Sequence, residues 1–486
     1  MAFIDIRNER IKKLEKLKEK GVDAYPSASA RTHTIQKFLE EHTTLEERGG
    51  AVTLDGRVMS VRTHGGSLFL DIYDGTGRTQ GYLKKDEVGE EVFSFFEEVV
   101  DIGDIVELSG MAFTTKRGAQ SLLAHSWKML AKSLRPIPDT WFGIKDEEER
   151  YRKRYLDILL SEDLRARFHR RSLFWNTIRA YLLDRDFMEV ETPVLETTTG
   201  GADARPFVTH HNALNIDAYL RISAGELWQK RLMVAGFPKV FEIGRIFRNE
   251  GMSFEHAQDY TQVEFYQAFS DYEEGMDMIT DLYRTVADKV YNTLTFSIKE
   301  FTVNFDSVWE RYDYGALIKK EFGVDPFETS VEDVRKVLEE RHMPFESKGF
   351  NLERGVDTLW KHIRKTLSGP GFLIGVPVYM EPLAKRNKKD LRVADRFQVI
   401  LAGSEMGKGF SELNNSLEQA QRFNHQQELR DAGDDEAQMN DTSYVEALEY
   451  GMPPTFGFGV SERLFSFLEG VSVREGQLFP LLRPKQ

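Results

Sequence analysis

Arg248, Glu250 and His256 stand close together in the run FEIGRIFRNEG (241–251) and the MSFEHAQDYTQVEFYQAF that follows it. Glu242, Arg248 and Glu250 alternate, so a strand here puts Arg248 and Glu250 on one face. A loop with Glu255 and His256 comes next, then a returning strand with Tyr260, Glu264 and Tyr266. A strand, loop and strand with an inward arginine and histidine suit a polyphosphate, with the guanidinium bidentate on one phosphate and the imidazole on another. The plainer alternative is a surface hairpin with scattered ion pairs.

Two further stretches have the same character. In TFGFGVSERLF (455–465), Gly457 and Gly459 precede Arg463, without the third glycine and the βαβ setting of a dinucleotide fold. A strand entering a helix fits better, with Arg463 in its first turn over a purine ring or a phosphate. SEMGKGFSELNN (404–415) brings Glu405, Lys408, Phe410 and Glu412 together at the end of an alternating run. Glu405 suits Mg2+, a hard cation that takes oxygen ligands, and Glu412 suits a cationic substrate. An ordinary surface glutamate is the alternative for each.

The elements that must hold these residues change along the chain. Residues 3–20 have helical spacing, with surplus lysine and Gly21 as a stop. From Val52 the period becomes two, with turns at HGG, DGTG and KRG. Five or so short strands with a helical insert near 90–99 predict a small Greek-key barrel of the OB type. Such a barrel stacks unpaired bases on aromatic side chains, for which Phe69 and Tyr82 are candidates if they are not core. KSLRPIPDTWFG (132–143) reads as a linker, and AYLRIS, KVFEIGRIFRN and DYTQVEFYQAF as successive strands of an antiparallel sheet flanked by helices. A helical stretch at about 271–365 interrupts them, and GFLIGVPVYM, DRFQVILAGSEMGKGFSEL and PPTFGFGV resume the pattern.

Composition bounds the class. A chain of 486 residues, 41% hydrophobic, is long enough for two domains or more. No apolar run approaches the roughly 20 residues of a membrane helix, and the charged N-terminus does not read as a signal peptide. Zero cysteines exclude disulfides and thiolate metal sites and suit the cytoplasm. A net charge of −14 argues against nonspecific coating of nucleic acid without forbidding a local basic patch.

At this point the residues resemble a family. The three stretches are similar to motif 2, motif 3 and the site strand of class II aminoacyl-tRNA synthetases, and DFMEVETPVL, with Pro193, is similar to the dimer-forming motif 1. A barrel ahead of the catalytic domain resembles the aspartate, asparagine and lysine subgroup. GGADARPFVTHHNAL, PLAKRN, GFSELN, DAGDDEA and GMPPT resemble its lysine branch, of bacterial type. The resemblance implies an α+β chain: a helical extension (1–50), an OB barrel that reads the anticodon (51–135), a linker (136–150) and a catalytic domain (151–486). It implies a six- or seven-stranded antiparallel sheet holding lysine and ATP, Mg2+ as cofactor, tRNA(Lys) as partner, a homodimer and a cytoplasmic location.

By the same resemblance Arg248 meets the ATP α-phosphate and the lysine carboxylate, Glu250 the adenine amine and His256 the outer phosphates. Tyr260 stacks on adenine and Arg463 covers its other face. Glu226, Glu264, Tyr266, Lys408, Phe410 and Glu412 fall in the lysine pocket, Glu405 and Gln398 at the metal, and Phe69, Gln80 and Gln120 at the anticodon.

The sequence departs from the family at several of these places. Lys408 replaces an Asn, and Gln398 replaces one of two metal-binding Glu residues. EHAQDYT stands for RHNPEFT, which adds Glu255, and SAGELWQKRL has one more residue ahead of Glu226. RGAQSL lacks the barrel Glu that meets the central uridine, with Gln120 next door. Lys408 with Gln398 predicts a fixed positive charge that takes over part of a metal ion's work near the phosphates; a solvent-facing lysine is the alternative. Two rivals follow: a paralogue that attaches a lysine-like amino acid to a protein, against which the barrel counts, and a catalytically silent homologue that binds tRNA or a partner, against which the retained motif residues count.

Overall fold

The computed structural model describes residues 3–138, 144–202, 204–251, 253–347, 349–434 and 436–485. The chain divides into two compact units, Met1–Leu160 and Ser161–Gln486. The part of the expected linker at 139–143 lies outside the described residues.

In the first unit the period-two pattern forms β1 (Ala51–His64), β2 (Ser67–Tyr73), β3 (Arg78–Lys84), β4 (Ile105–Thr114) and β5 (Gln120–Ala131). They close into a barrel in the order β1-β2-β3-β5-β4. Alternate residues such as Val52, Leu54, Leu68, Leu70 and Ile72 are buried inside. The helix Glu90–Val99 adds Phe93, Phe96 and Val99 to this core, and the helix Phe3–Glu19 adds Leu17.

The second unit is built on β6 (Met188–Glu189), β7 (Leu195–Glu196), β8 (Val208–His211), β9 (Ile216–Leu220), β10 (Lys239–Phe247) and β11 (Asp259–Ala268). It continues with β12 (Thr295–Ile298), β13 (Phe301–Asn304), β14 (Glu310–Asp313), β15 (Gly371–Ile374), β16 (Arg396–Leu401), β17 (Ser404–Ser411) and β18 (Thr455–Ser461). Its main sheet has eight strands, in the order β14-β15-β16-β17-β18-β11-β10-β6. That exceeds the six or seven that the resemblance implies by the short edges β14 and β6, of four and two residues. Both edge pairs are parallel and the rest antiparallel.

The two faces of the sheet differ because strand side chains alternate. Val263 and Phe265 of β11, with Phe456, Phe458 and Val460 of β18, pack into one large core. The helices Glu162–Leu183 and Tyr272–Tyr291 cover that face with Phe174, Ile178, Ile279, Leu282 and Val286. The residues between them, Glu264 and Tyr266 on β11 and Gly457 and Gly459 on β18, are left for the other face. The helix Tyr272–Tyr291 therefore belongs to the sheet's own core. The stretch 271–365, read as helical, also holds the hairpin β12–β13 and the strand β14, where Phe296, Ile298 and Val303 alternate into the core over only four residues a strand. AYLRIS overlaps β9, which pairs apart from the main sheet in the order β7-β9-β8.

Candidate active site

A cavity of about 540 Å³ opens on the second face of the sheet. Its walls bring together Glu226, Arg248, Glu250, His256, Tyr260, Glu264, Tyr266, Gln398, Glu405, Lys408, Phe410 and Arg463. Glu412 lies behind this wall, 1% exposed.

Arg248 and Glu250 do not stand on a strand as the alternation predicts. The pairing of β10 with β11 runs to Phe247 opposite Asp259 and gains one more bond, from Arg248 N to Gln258 O (2.8 Å). Asn249 N then bonds Arg205 O (2.8 Å), which draws the chain off its partner. Arg248 gives Nε to Ile222 O (3.3 Å) and sits 5.8 Å from the Tyr260 ring centroid. Among the described residues its terminal nitrogens have no protein partner. His256 Nδ1 meets Ser253 Oγ at 2.7 Å. Burial pushes the Tyr260 hydroxyl up from its ordinary range.

Arg463 opens the helix Arg463–Leu468 directly after β18, and burial lowers its guanidinium to about 10. It is paired with Glu255, whose Oε1 also accepts from Ser404 Oγ (3.2 Å) and lies 4.0 Å from Lys299 Nζ. The glutamate that replaces the family's arginine thus holds the arginine across the site.

The acidic end of the cavity rests on the helix Glu226–Val234. Gly225 stands directly ahead of it at φ +76, packed where a Cβ would strike Thr192. Glu226 enters the cavity wall. Glu264 is 3% exposed and accepts from Ala224 N (2.8 Å), Gln262 Nε2 (2.5 Å) and Tyr266 OH (2.9 Å). Burial first, and the nearby Glu226, raise its carboxyl to about 7. Burial likewise pushes Glu412 well above the usual carboxylate range, against the pull of Lys230. Lys230 itself was not legible as a site residue. Its Nζ lies 2.6 Å from Glu226 Oε1 and 2.5 Å from Glu412 Oε2. The signal for it was its position one helical turn beyond Glu226.

Gln398 and Lys408 stand directly opposite each other across β16 and β17. Lys408 Nζ does not reach Glu405 or Glu412, the two carboxylates nearest in sequence, as its ion-pair partner. It pairs with Glu381 Oε2 (2.7 Å), and Arg396 Nε takes the other oxygen (3.1 Å). Against its burial, these two cations hold the Glu381 carboxyl below its ordinary value. Glu381 is a second residue the sequence reading missed; it precedes PLAKRN, outside any periodic element.

Both residues expected at the metal have protein partners. Gln398 Oε1 accepts from Arg396 (2.6 Å) and Glu405 Oε1 from Trp360 Nε1 (2.7 Å). Among the described residues no group of three or more acidic or histidine side chains could hold a metal. One carboxylate oxygen at Glu405 fits a Mg2+ that arrives on phosphate oxygens, and does not make a cage of protein ligands.

In the barrel, Phe69 stacks on Tyr82 with centroids 4.4 Å apart and planes at 5°. Leu68, Leu70 and Ile72 are the buried residues of β2, so Phe69 lies on the outer face and is not core. Gln80 Oε1 accepts from Ser121 Oγ (3.4 Å) on the strand beside it, and Gln120 is exposed at the start of β5.

Residues 146–483 match a family model described as tRNA synthetases class II (D, K and N), and residues 52–136 match one for the OB-fold nucleic acid binding domain. The chain is 43% identical to the lysine–tRNA ligase of Thermosipho melanesiensis, covering 99% of this chain and 96% of the relative. It is 40% identical to the enzyme of that name from Thermotoga maritima, over 99% and 97%. A third such ligase, from Roseiflexus castenholzii, is 41% identical with 100% of both chains covered.

Proposed function

As a member of the class II tRNA synthetases of the D, K and N group, the chain, we propose, acts as a lysine–tRNA ligase that joins lysine to tRNA(Lys) at the expense of ATP. The observation that carries the choice of amino acid is the acidic end of the cavity, where Glu226, Glu264 and Glu412 converge. An aspartate or asparagine side chain offers an oxygen and needs a cation in that place. Lysine brings two ammonium groups and needs acids.

The residues then divide the work. Arg248 bridges the α-phosphate and the lysine carboxylate, Tyr260 and Arg463 sandwich the adenine, Glu250 takes its amine, and His256 meets the outer phosphates. A lysine carboxylate oxygen attacks the α-phosphorus in line, the bond to the bridging oxygen breaks, and diphosphate leaves. Lysyl-adenylate then gives its acyl group to the terminal adenosine of the tRNA, and AMP departs. No side chain becomes a nucleophile; the site contributes positioning and fixed charge. Mg2+, when bound with ATP at Glu405, supplies charge neutralisation at the phosphates. The testing experiment is lysine-dependent exchange of pyrophosphate into ATP, followed by charging of tRNA(Lys). Exchange with aspartate or asparagine but not lysine overturns the reading.

The titration of Glu264 gives this reading a pH dependence. Its carboxyl is raised to about 7, so below that it is protonated in the free protein and has no charge for an ammonium. As pH falls through 7, kcat/KM for lysine is expected to drop, approaching about tenfold per unit, because each unit lowers the ionised fraction tenfold. Glu264→Gln should flatten the profile over pH 5.5–8; an unchanged slope in that variant would assign the titration elsewhere.

On the barrel, Phe69→Ala is expected to weaken tRNA charging while leaving pyrophosphate exchange intact. Base stacking on an aromatic is worth about 1–3 kcal/mol, so KM for tRNA should rise by about 5- to 150-fold. Equal loss in both assays would make Phe69 a structural residue.

A homodimer belongs to the same proposal. Met188, Val194, Leu195, Val208, Leu214 and Ile216 expose apolar side chains on and around β6–β9, more than a surface residue here and there. Light scattering at micromolar concentration should give twice the chain mass of 56.1 kDa. A fully active monomer would refute the assembly.

A further inference from the structure

Lys230 is 0% exposed, and its ammonium stands at the acidic end of the cavity between two carboxylates. It lies 5.1 Å over the Phe410 ring and 5.9 Å over that of Tyr266, two residues of the cavity wall. A buried lysine facing one glutamate would be an ordinary interior pair. Here the geometry is divided. Glu412 Oε2 faces Lys230, while Oε1 is buried with no hydrogen-bond partner among the described residues. Gly457, which lines the cavity, has no room for a Cβ because Glu412 Oε1 and the Tyr266 ring would meet it. The glycine therefore places no side chain between the cavity wall and that oxygen.

We propose that Lys230 is a positioning residue that sets the amino-acid specificity of the site by bridging Glu226 and Glu412 and fixing the charge of the pocket. The inference rests on the lysine-pocket reading given above. Lys230 supplies the acidic end with one internal counter-charge, and the ammonium groups of lysine would supply the others, while Arg248 takes its carboxylate. Without Lys230, three carboxylates out of water would have no internal counter-charge, and burial would protonate one or more of them. The bridge also separates the two oxygens of Glu412: one is committed to the protein and the other is kept for the substrate.

Wild-type exchange with lysine tests the pocket reading; Lys230→Ala and Lys230→Met test this one. ATP binding, read by thermal shift, is expected to survive in both. KM for lysine should rise by about 100-fold or more with KM for ATP changed less than about threefold, as for a residue acting on the amino acid alone. In Lys230→Ala, tens of millimolar propylammonium should return part of the lysine KM, about tenfold, by placing an ammonium in the vacated space. Tetramethylammonium at equal ionic strength should not, because it cannot donate hydrogen bonds. Unchanged KM for lysine in a folded variant overturns the proposal. So does rescue by both cations alike, or the absence of any rescue. Loss of ATP binding in both variants would show that Lys230 holds the fold and not the pocket, and overturns it too.

Discussion

Glu412→Gln is expected to abolish most lysine activation while ATP still binds. The glutamate is fully buried, its Oε2 faces Lys230 and its Oε1 has no partner among the described residues. Glutamine keeps the shape and loses the charge, so it leaves both Lys230 and the incoming ammonium short of a counter-ion. Truncating one partner of a buried charge pair costs about 2–5 kcal/mol, which corresponds to a fall in kcat/KM for lysine of about 30- to 4,000-fold. The measurement is pyrophosphate exchange with lysine varied at saturating ATP, beside a thermal-shift titration with ATP alone. Unaltered kcat/KM removes Glu412 from the pocket. A parallel loss of ATP binding would mean that the interior has collapsed.

Arg248→Ala should act on the other reactant and on the rate. Its guanidinium is steadied by Ile222 O and the Tyr260 ring, with its terminal nitrogens free of protein partners among the described residues. Such a preorganised donor gains most when charge gathers on the α-phosphate in the transition state. Loss of one donor to a developing charge lowers kcat by about 10²–10³-fold, or about 2.7–4 kcal/mol. Single-turnover formation of the adenylate, followed by quench, reads this without interference from product release. A rise in KM with kcat untouched would reduce Arg248 to a ground-state binding residue.

What the sequence revealed depended on the length of each pattern. The barrel was legible because seven or more residues of β1 to β5 alternate between glycine turns. The floor of the site was legible for the same reason: Val263, Phe265, Phe456 and Phe458 point one way, so Glu264, Tyr266 and the glycines of β18 must point the other. β6 and β14, of two and four residues, carry no period at all. Lys230 was hidden differently. In GELWQKRL it is one more polar residue, and only the packing of that helix on β10 and β11 and the approach of Glu412 bury it. Lys408 was visible as an oddity, but its partner Glu381 is 27 positions away in sequence, in an irregular segment. Long-range ion pairs leave no local trace.

If Arg463 covers the adenine as proposed, its contact with Glu255 would make the protein its own competitive inhibitor. A carboxylate tethered on the loop after β10 would then hold the guanidinium proposed for the nucleotide. Its effective concentration is set by the loop and not by the cell. The apparent dissociation constant for ATP is then the intrinsic one divided by the fraction of molecules in which Arg463 has been released. Salt acts on both sides of this contest: it loosens the tethered pair and weakens the attraction of the free phosphates. Nucleotide affinity should accordingly vary less with ionic strength than at a site whose arginine stands open, so the glutamate acts as a buffer against the ionic environment.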